Sequence, residues 1–205
     1  KIVVIVGPTS AGKSALAVNL ARKCNGEVIS ADSRQVYKGL DIGTGKITRR
    51  EMRGVPHHLL DVAPPMNTFT AHDFLVNARS AITDISARGK LAIICGGTGF
   101  YIDALIGRIA LPDVPANKKL RKLLDKKTAA QLYAMVKKRD PRRAATIEPQ
   151  NKRRLIRALE IAAALGRVPH QKPARRRLAG FYDTLWVGIT PARDELRRRI
   201  IARLK

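Results

Sequence analysis

Gly7-Pro8-Thr9-Ser10-Ala11-Gly12-Lys13-Ser14 gathers two glycines, one amine and three hydroxyls into eight residues. The pattern fits G-x-x-x-x-G-K-[ST]. It stands between a β-branched apolar run, Ile2 to Val6, and a stretch with helical spacing. The glycines let successive backbone N–H groups turn inward around phosphate oxygens, and a following helix N-terminus adds its positive end. Lys13 can reach terminal phosphates and Ser14 can hold a metal ion. The motif specifies a di- or triphosphate, not the molecule that carries it.

Asp32-Ser33-Arg34-Gln35-Val36-Tyr37 follows a second strand-like run, Glu27 to Ala31. An Asp at the C-terminal tip of a parallel strand faces the ligand crevice. Asp32 can coordinate Mg2+, act as a general base, or simply cap a turn. Gly96-Gly97-Thr98-Gly99-Phe100-Tyr101 follows another strand, Leu91 to Cys95. Its glycines permit close backbone approach and Thr98 brings a hydroxyl, although a packing turn has the same composition. Asp41-Ile42-Gly43-Thr44-Gly45-Lys46 reads as a flexible loop, with Lys46 available for phosphate or simply at the surface. His57 and His58 lack further metal ligands at suitable spacing and read as loop or packing residues. From Asn151, the guanidiniums of Arg153, Arg154 and Arg157 are interleaved with Leu155, Ile156 and Leu159. Arg153 and Arg157 share one helix face and Leu155 and Leu159 another, so such a helix can pack on one side and meet phosphates on the other.

Positioning these groups requires strand–loop–helix repeats, which make a parallel sheet with covering helices. Helices are predicted from about Lys13 to Lys23, and from a capping box at Thr70 and Asp73 to near Gly89. The segment from Lys38 to Gly54 reads as loop. After Pro112 the signals are helical and strongly basic: a capping box at Thr128 and Gln131, an N-cap at Asp140 before Pro141, and a helix from Asn151 to Leu165 stopped by Gly166. Lys172 to Arg177 reads as a basic linker. A strand then returns over Leu185 to Ile189, and Thr190-Pro191 precedes a last helix carrying Arg197, Arg198 and Arg199. The expected fold class is α/β: a P-loop NTPase-like parallel sheet with covering helices, interrupted by a basic all-helical insertion domain. The boundaries are 1–112 for the phosphate-loop core, 113–178 for the insertion and 179–205 for the return to the core.

Composition narrows the partners. Forty Lys and Arg against sixteen Asp and Glu give a formal net charge of +24 over 205 residues. That excess points to a polyanion, nucleic acid first. Aromatic residues are only 4%, which argues against a broad base-stacking platform. Hydrophobic residues at 45% exclude a disordered chain. No apolar run has the roughly 18 residues a spanning helix needs. Cys24 and Cys95 sit in apolar segments and are expected to be reduced core thiols of a cytoplasmic protein.

The ordered set GPTSAGKS, DSRQVY, DIGTGK, PHHLLD, GGTGFYI and DPRRAATIEPQNKRRLIRALE resembles the bacterial tRNA dimethylallyltransferases, from Ile2 to the last helix. The resemblance implies transfer of a dimethylallyl group from dimethylallyl diphosphate to N6 of the adenosine beside the tRNA anticodon, with Mg2+ as cofactor. It implies that Gly7 to Ser14 bind the diphosphate, with Ser14 on the metal. Lys13, Asp32 and Thr98 form the catalytic set, and Asp32 is the general base. Asp32, Ser33, Arg34, Gln35 and Thr98 would meet tRNA, together with Arg121, Arg153, Arg154, Leu155, Ile156 and Arg157. Arg153 stands where the family usually has glutamine. The anticodon stem-loop is the expected partner of a monomer. The family normally continues well beyond the last helix, so this sequence, which lacks the family's C-terminal portion, is expected to be either a fragment or an unusually short form of the fold. The rival readings are an adenylate, cytokinin-forming isopentenyltransferase, a P-loop small-molecule kinase and a non-catalytic RNA-binding remnant. The basic insertion argues against a mononucleotide acceptor.

Overall fold

The computed structural model describes residues 1–169 and 182–204. They fall into two compact units, one within Lys1–Ala110 and Pro173–Lys205, the other within Leu111–Lys172. In chain order the first unit contributes β1 (Ile2–Val6), α1 (Lys13–Lys23), β2 (Gly26–Ser30), α2 (Arg49–Met52), β3 (His57–His58), α3 (Ala71–Ala87), β4 (Leu91–Cys95) and α4 (Gly99–Leu105). The second contributes α5 (Lys118–Leu124), α6 (Ala129–Arg139), α7 (Pro141–Ala144) and α8 (Lys152–Leu165). The chain returns to the first unit with β5 (Thr184–Gly188) and α9 (Arg193–Leu204). The basic stretch 172–177 lies outside the described residues.

The five strands pair in parallel in the order β3-β2-β4-β1-β5. Strand side chains alternate between faces, and this alternation builds two cores. Ile2, Val4, Ile29 and Ile94 point to one face, where α3 supplies Phe74, Ala78, Ile82 and Ile85. Val3, Ile5, Val28 and Ile93 point to the other, against Ala17, Val18 and Ala21 of α1. Continuous apolar runs are therefore required in β1 and β4, because both faces are covered. Full burial of each such side chain contributes about 1.5–3 kcal/mol.

Between β1 and its neighbours the strand order reverses, which opens a crevice at the C-terminal strand ends. Backbone fits closely there. A Cβ on Gly7 would stand 2.5 Å from the Ile189 carbonyl oxygen, and one on Gly96 would overlap the Ala31 carbonyl. Two elements were missed in the sequence. Helix α2 lies inside the stretch read as loop, yet Thr48 and Glu51 form a capping box that announces it. Strand β3 has only two residues, too few for any periodicity. Cys24 corrects the expectation of two core thiols: Cys95 is buried, but Cys24 is exposed just past the end of α1.

The second unit is helical throughout its described residues. Its helix starts follow the side-chain caps: Asn117 for α5, Thr128 with Gln131 for α6, Asp140 before Pro141 for α7, and Asn151 for α8. Leu124, Leu132, Val136, Leu155, Ile156 and Leu159 form its core. The Leu155 and Ile156 side chains are 0% and 6% exposed. This corrects the expectation that the whole run from Arg153 to Arg157 meets RNA, because the apolar stripe of α8 is used for packing.

Within that unit Glu160 is 1% exposed. Its carboxylate accepts from Arg121 Nε at 2.9 Å and Nη2 at 2.8 Å, from the Asn117 amide at 2.6 Å, and from Arg157 Nη1. Burial pushes this carboxyl up, but the hydrogen bonds from Arg121, Arg157 and Asn117 outweigh it and bring it down to about 2. A buried charge with one partner removed is strongly destabilising. Glu160→Gln is expected to lower the stability of the helical unit by about 3–5 kcal/mol. A carboxyl depressed by folding adds stability above its unfolded value, about 4.3. That stability is lost as pH falls toward about 2. Circular-dichroism melts over this window should show less acid destabilisation in Glu160→Gln than in the wild type.

Candidate active site

The loop after β1 turns through two left-handed residues, Ser10 at φ 63° and Gly12 at φ 93°. Gly12 is the N-cap of α1, which has no side-chain cap and no acidic residue in its first turn. The N-terminal amides of an 11-residue helix are therefore left to an anion. Lys13 Nζ donates to the Pro8 carbonyl at 2.7 Å, across the loop. Burial holds the Lys13 ammonium below its ordinary value, while Cys95 and Asp32 pull it up. The Ser10 hydroxyl oxygen is buried and has no hydrogen-bond partner among the described residues. Such an orphan fits a site shaped for a ligand's oxygens.

Asp32 follows the buried end of β2. Its Oδ1 accepts from the Arg34 amide at 2.8 Å and the Gln35 amide at 3.3 Å. The turn-forming reading thus accounts for one carboxylate oxygen. Oδ2 has no hydrogen-bond partner among the described residues. Thr98 braces the same turn, its Oγ1 accepting the Ser33 amide at 2.9 Å. The Thr98 amide donates to the Ala31 carbonyl at 3.1 Å. The tips of β2 and β4 are joined by these bonds.

Beside them lies a cavity of about 600 Å³, whose walls include Ser10, Lys13, Ser14, Asp32, Gln35 and Gly96. The structure thus brings the phosphate loop and Asp32 together on one cavity. It adds arginines that sequence reasoning did not assign to the site: Arg53, and Arg199 and Arg203 of α9. Arg199 Nη1 donates to the Ala11 carbonyl at 3.2 Å, and Arg203 Nη2 donates to the Gly45 carbonyl. The signal was present in the four-residue spacing of Arg199 and Arg203, which puts both on one helix face.

Lys46 is corrected. It is not available to phosphate: its side chain is 5% exposed, and Nζ donates to the Tyr37 carbonyl at 2.7 Å, Asp41 Oδ1 at 2.6 Å and Asp61 Oδ1 at 2.5 Å. The histidines are structural, with His58 Nε2 2.7 Å from Glu27 Oε2 and His57 Nδ1 2.9 Å from the Val55 carbonyl. Ser33 and Gln35 are half-buried and Arg34 is exposed. On the second unit, Arg153 and Arg154 are exposed, and Arg154 lies 3.6 Å from Glu148. Arg121 and Arg157 direct N–H groups to Glu160 and keep 41% and 35% of their side chains exposed.

Known proteins share this sequence and fold. A family model described as IPP transferase matches residues 35–205. A tRNA dimethylallyltransferase of Anoxybacillus flavithermus is 45% identical over 206 residues, covering 100% of this chain and 66% of the relative. One from Geobacillus thermodenitrificans is 48% identical over 210 residues, with the same coverage of both chains. The solved full-length tRNA isopentenylpyrophosphate transferase of Bacillus halodurans aligns at TM-score 0.65 and 43% identity, over 100% of this chain and 64% of its own. A eukaryotic dimethylallyltransferase, crystallised acting on tRNA, aligns at TM-score 0.86 and 32% identity, over 99% of this chain and 51% of its own. The chain spans about two thirds of the length of the curated relatives it matches. With a matching family model over most of its length and relatives matching all of it, this chain belongs to the IPP transferase family.

Proposed function

We propose that this chain carries the catalytic core of a tRNA dimethylallyltransferase. It would move a dimethylallyl group from dimethylallyl diphosphate to N6 of the adenosine beside the anticodon and release diphosphate. The observation that carries the reading is the meeting of an uncapped phosphate-loop helix and the Asp32 carboxylate on one cavity. A P-loop NTPase-like core that binds an allylic diphosphate instead of a nucleotide triphosphate accounts for both.

In this reading the amides of Gly7 to Ser14 and the Lys13 ammonium hold the diphosphate. They stabilise the charge that grows on it as the allylic C–O bond breaks. Preorganised donors of this type contribute about 3–4 kcal/mol each. The adenine N6 forms the new N–C bond, and Asp32 Oδ2 takes the proton that N6 gives up. Positioned proton acceptors contribute about 10²–10⁴-fold. Thr98 holds the Asp32 turn, and Ser33, Arg34 and Gln35 line the approach of the RNA. Arg153 and Arg154 meet its phosphates, and Arg121 and Arg157 add their outward N–H groups.

Mg2+ fits the residues present. Among the described residues no group of three His, Cys, Asp or Glu side chains could hold a metal ion alone. The Ser14 hydroxyl on the cavity wall suits a cation that arrives with the diphosphate and keeps most ligands from it and from water. When bound, the ion neutralises charge on the departing diphosphate. No helix among the described residues is long and apolar enough to cross a membrane, and we place the enzyme in the cytoplasm as a monomer.

The test is single-turnover transfer of labelled dimethylallyl from its diphosphate to an anticodon stem-loop with Mg2+. The label is expected on the adenine. Asp32→Asn keeps the turn's acceptor oxygen and removes the base. Its rate should fall about 10²–10⁴-fold, with stem-loop affinity within about threefold, because one neutralised carboxylate does not weaken a polyanion's binding. Wild-type turnover in that variant would remove Asp32 from catalysis, and labelling of AMP but not RNA would favour the cytokinin-forming reading. Stem-loop affinity measured against salt should fall with a log–log slope of about 0.7–0.9 per phosphate contact; a flat response would remove the phosphate contacts.

A further inference from the structure

The Lys46 side chain is 5% exposed and sits between Gly45 and Ile47 of the cavity wall, yet the proposed reaction gives it no task. Its three N–H donors have three acceptors, each from a different segment: the Tyr37 carbonyl, Asp41 and Asp61. The Lys46 amide also donates to the Asp41 carbonyl at 3.0 Å. Around this ammonium the segments that carry Tyr37 and Asp61 are laced together by backbone. The Asp61 amide donates to the Gln35 carbonyl at 3.3 Å, the Ala63 amide to the Val36 carbonyl at 3.0 Å, and the Lys38 amide to the Ala63 carbonyl at 2.9 Å. Gln35 Nε2 reaches the Gly45 carbonyl at 3.3 Å.

The segment so held begins at Asp32. From there to Lys38 the chain forms no helix, and only Tyr37 makes a bridge, to Ala63. The partner segment that carries Asp61 has unusual backbone. Leu59 and Asp61 both have left-handed backbone, at φ 63° and 56°, a conformation that costs energy at Leu59 and is better tolerated at Asp61. The ion pair to Lys46 holds the Asp61 side chain in place. Without the ammonium, the carboxylates of Asp41 and Asp61 would be left facing one another without a cation.

The geometry points to Lys46 as a positioning residue that holds the Asp32–Lys38 turn in register for proton removal without touching the diphosphate. This inference rests on the proposed transfer reaction. Lys46 acts through the Tyr37 carbonyl and the Gln35 and Val36 backbone, so its loss should relax the turn and leave the phosphate loop intact. That separates it from a phosphate ligand, whose loss would weaken diphosphate binding directly.

Lys46→Met is the informative variant because it keeps the stem and removes the charge. Three readings are taken on it and on the wild type: the single-turnover transfer rate at saturating substrates, the affinity for inorganic diphosphate with Mg2+, and hydrogen exchange of the amides at 33–38. The expected result is a rate about 30-fold lower, by analogy with the large cost of small misplacements in catalytic geometry. Diphosphate affinity should stay within twofold, and exchange at 33–38 should be about tenfold faster. Lys46→Arg, which keeps the charge, should recover part of the rate. If Lys46→Met does not fold, the variant that adds Asp41→Asn and Asp61→Asn removes the unpaired carboxylates and is read in its place. An unchanged rate with unchanged exchange overturns the inference. So does a tenfold loss of diphosphate affinity with the saturated rate intact, which would make Lys46 a phosphate ligand. If the wild type transfers nothing, the reaction reading fails by itself, and the exchange and diphosphate readings still decide whether Lys46 clamps the turn.

Discussion

The contact between the Ala31 carbonyl and the backbone at Gly96 to Thr98 determines where every group of the site stands. Ala31 donates its amide to the Cys95 carbonyl at 2.9 Å and accepts the Thr98 amide at 3.1 Å. Only glycine at position 96 leaves room for that approach. The β2 and β4 tips are thereby held side by side, Thr98 reaches the Ser33 amide, and Asp32 closes its turn beside the cavity. The parallel order then puts β1 next to β4, so the phosphate loop opens onto the same space. A side chain at 96 would act on the site by spreading strand tips, not by removing a chemical group.

A second constraint is the scarcity of carboxylates in a chain of net charge +24. Two of the buried ones, Glu27 and Glu160, serve as anchors for cations. Glu27 in β2 binds Arg88 through both oxygens, Lys90 at 2.8 Å and His58 at 2.7 Å. The Arg88 hydrogen bonds, with those of Lys90 and His58, hold its carboxyl far below the usual range despite burial. Glu160 does the same for Arg121 and Arg157 in the helical unit; around Lys46 the roles reverse, and exposed Asp41 and Asp61 hold an enclosed ammonium. Each anchor fixes cations at defined places, and the surplus Lys and Arg remain for solvent and a polyanion. Arg121 and Arg157 belong to both groups, since Glu160 orients guanidiniums whose side chains stay 41% and 35% exposed.

The parallel core was legible because strands covered on both faces must be apolar throughout, as Ile2 to Val6 and Leu91 to Cys95 are. Helix starts were legible because caps are local chemistry: Thr70 with Asp73, Thr128 with Gln131, Asp140 before Pro141 and Asn151 all begin helices. Contacts distant in sequence were not legible. Nothing around Lys46 announces Asp61, and nothing around Arg199 announces the Ala11 carbonyl. The two-residue β3 is held by its pairing to Val28 and Ile29 and not by its own pattern. Leu155 and Ile156 show the opposite failure. A resemblance carried over as a whole run included two side chains that the helical period, taken alone, assigns to the core.

The central claim is that the loop from Gly7 to Ser14 is the diphosphate site and that Lys13 belongs to it. Calorimetric titration of inorganic diphosphate with Mg2+ into the wild type and into Lys13→Met tests this most directly, because it needs no RNA and no turnover. Saturable one-site binding is expected in the wild type, with affinity at least about tenfold weaker in the variant, the loss of one charge-assisted contact. Equal affinities in the two proteins, or no binding in either, would contradict it.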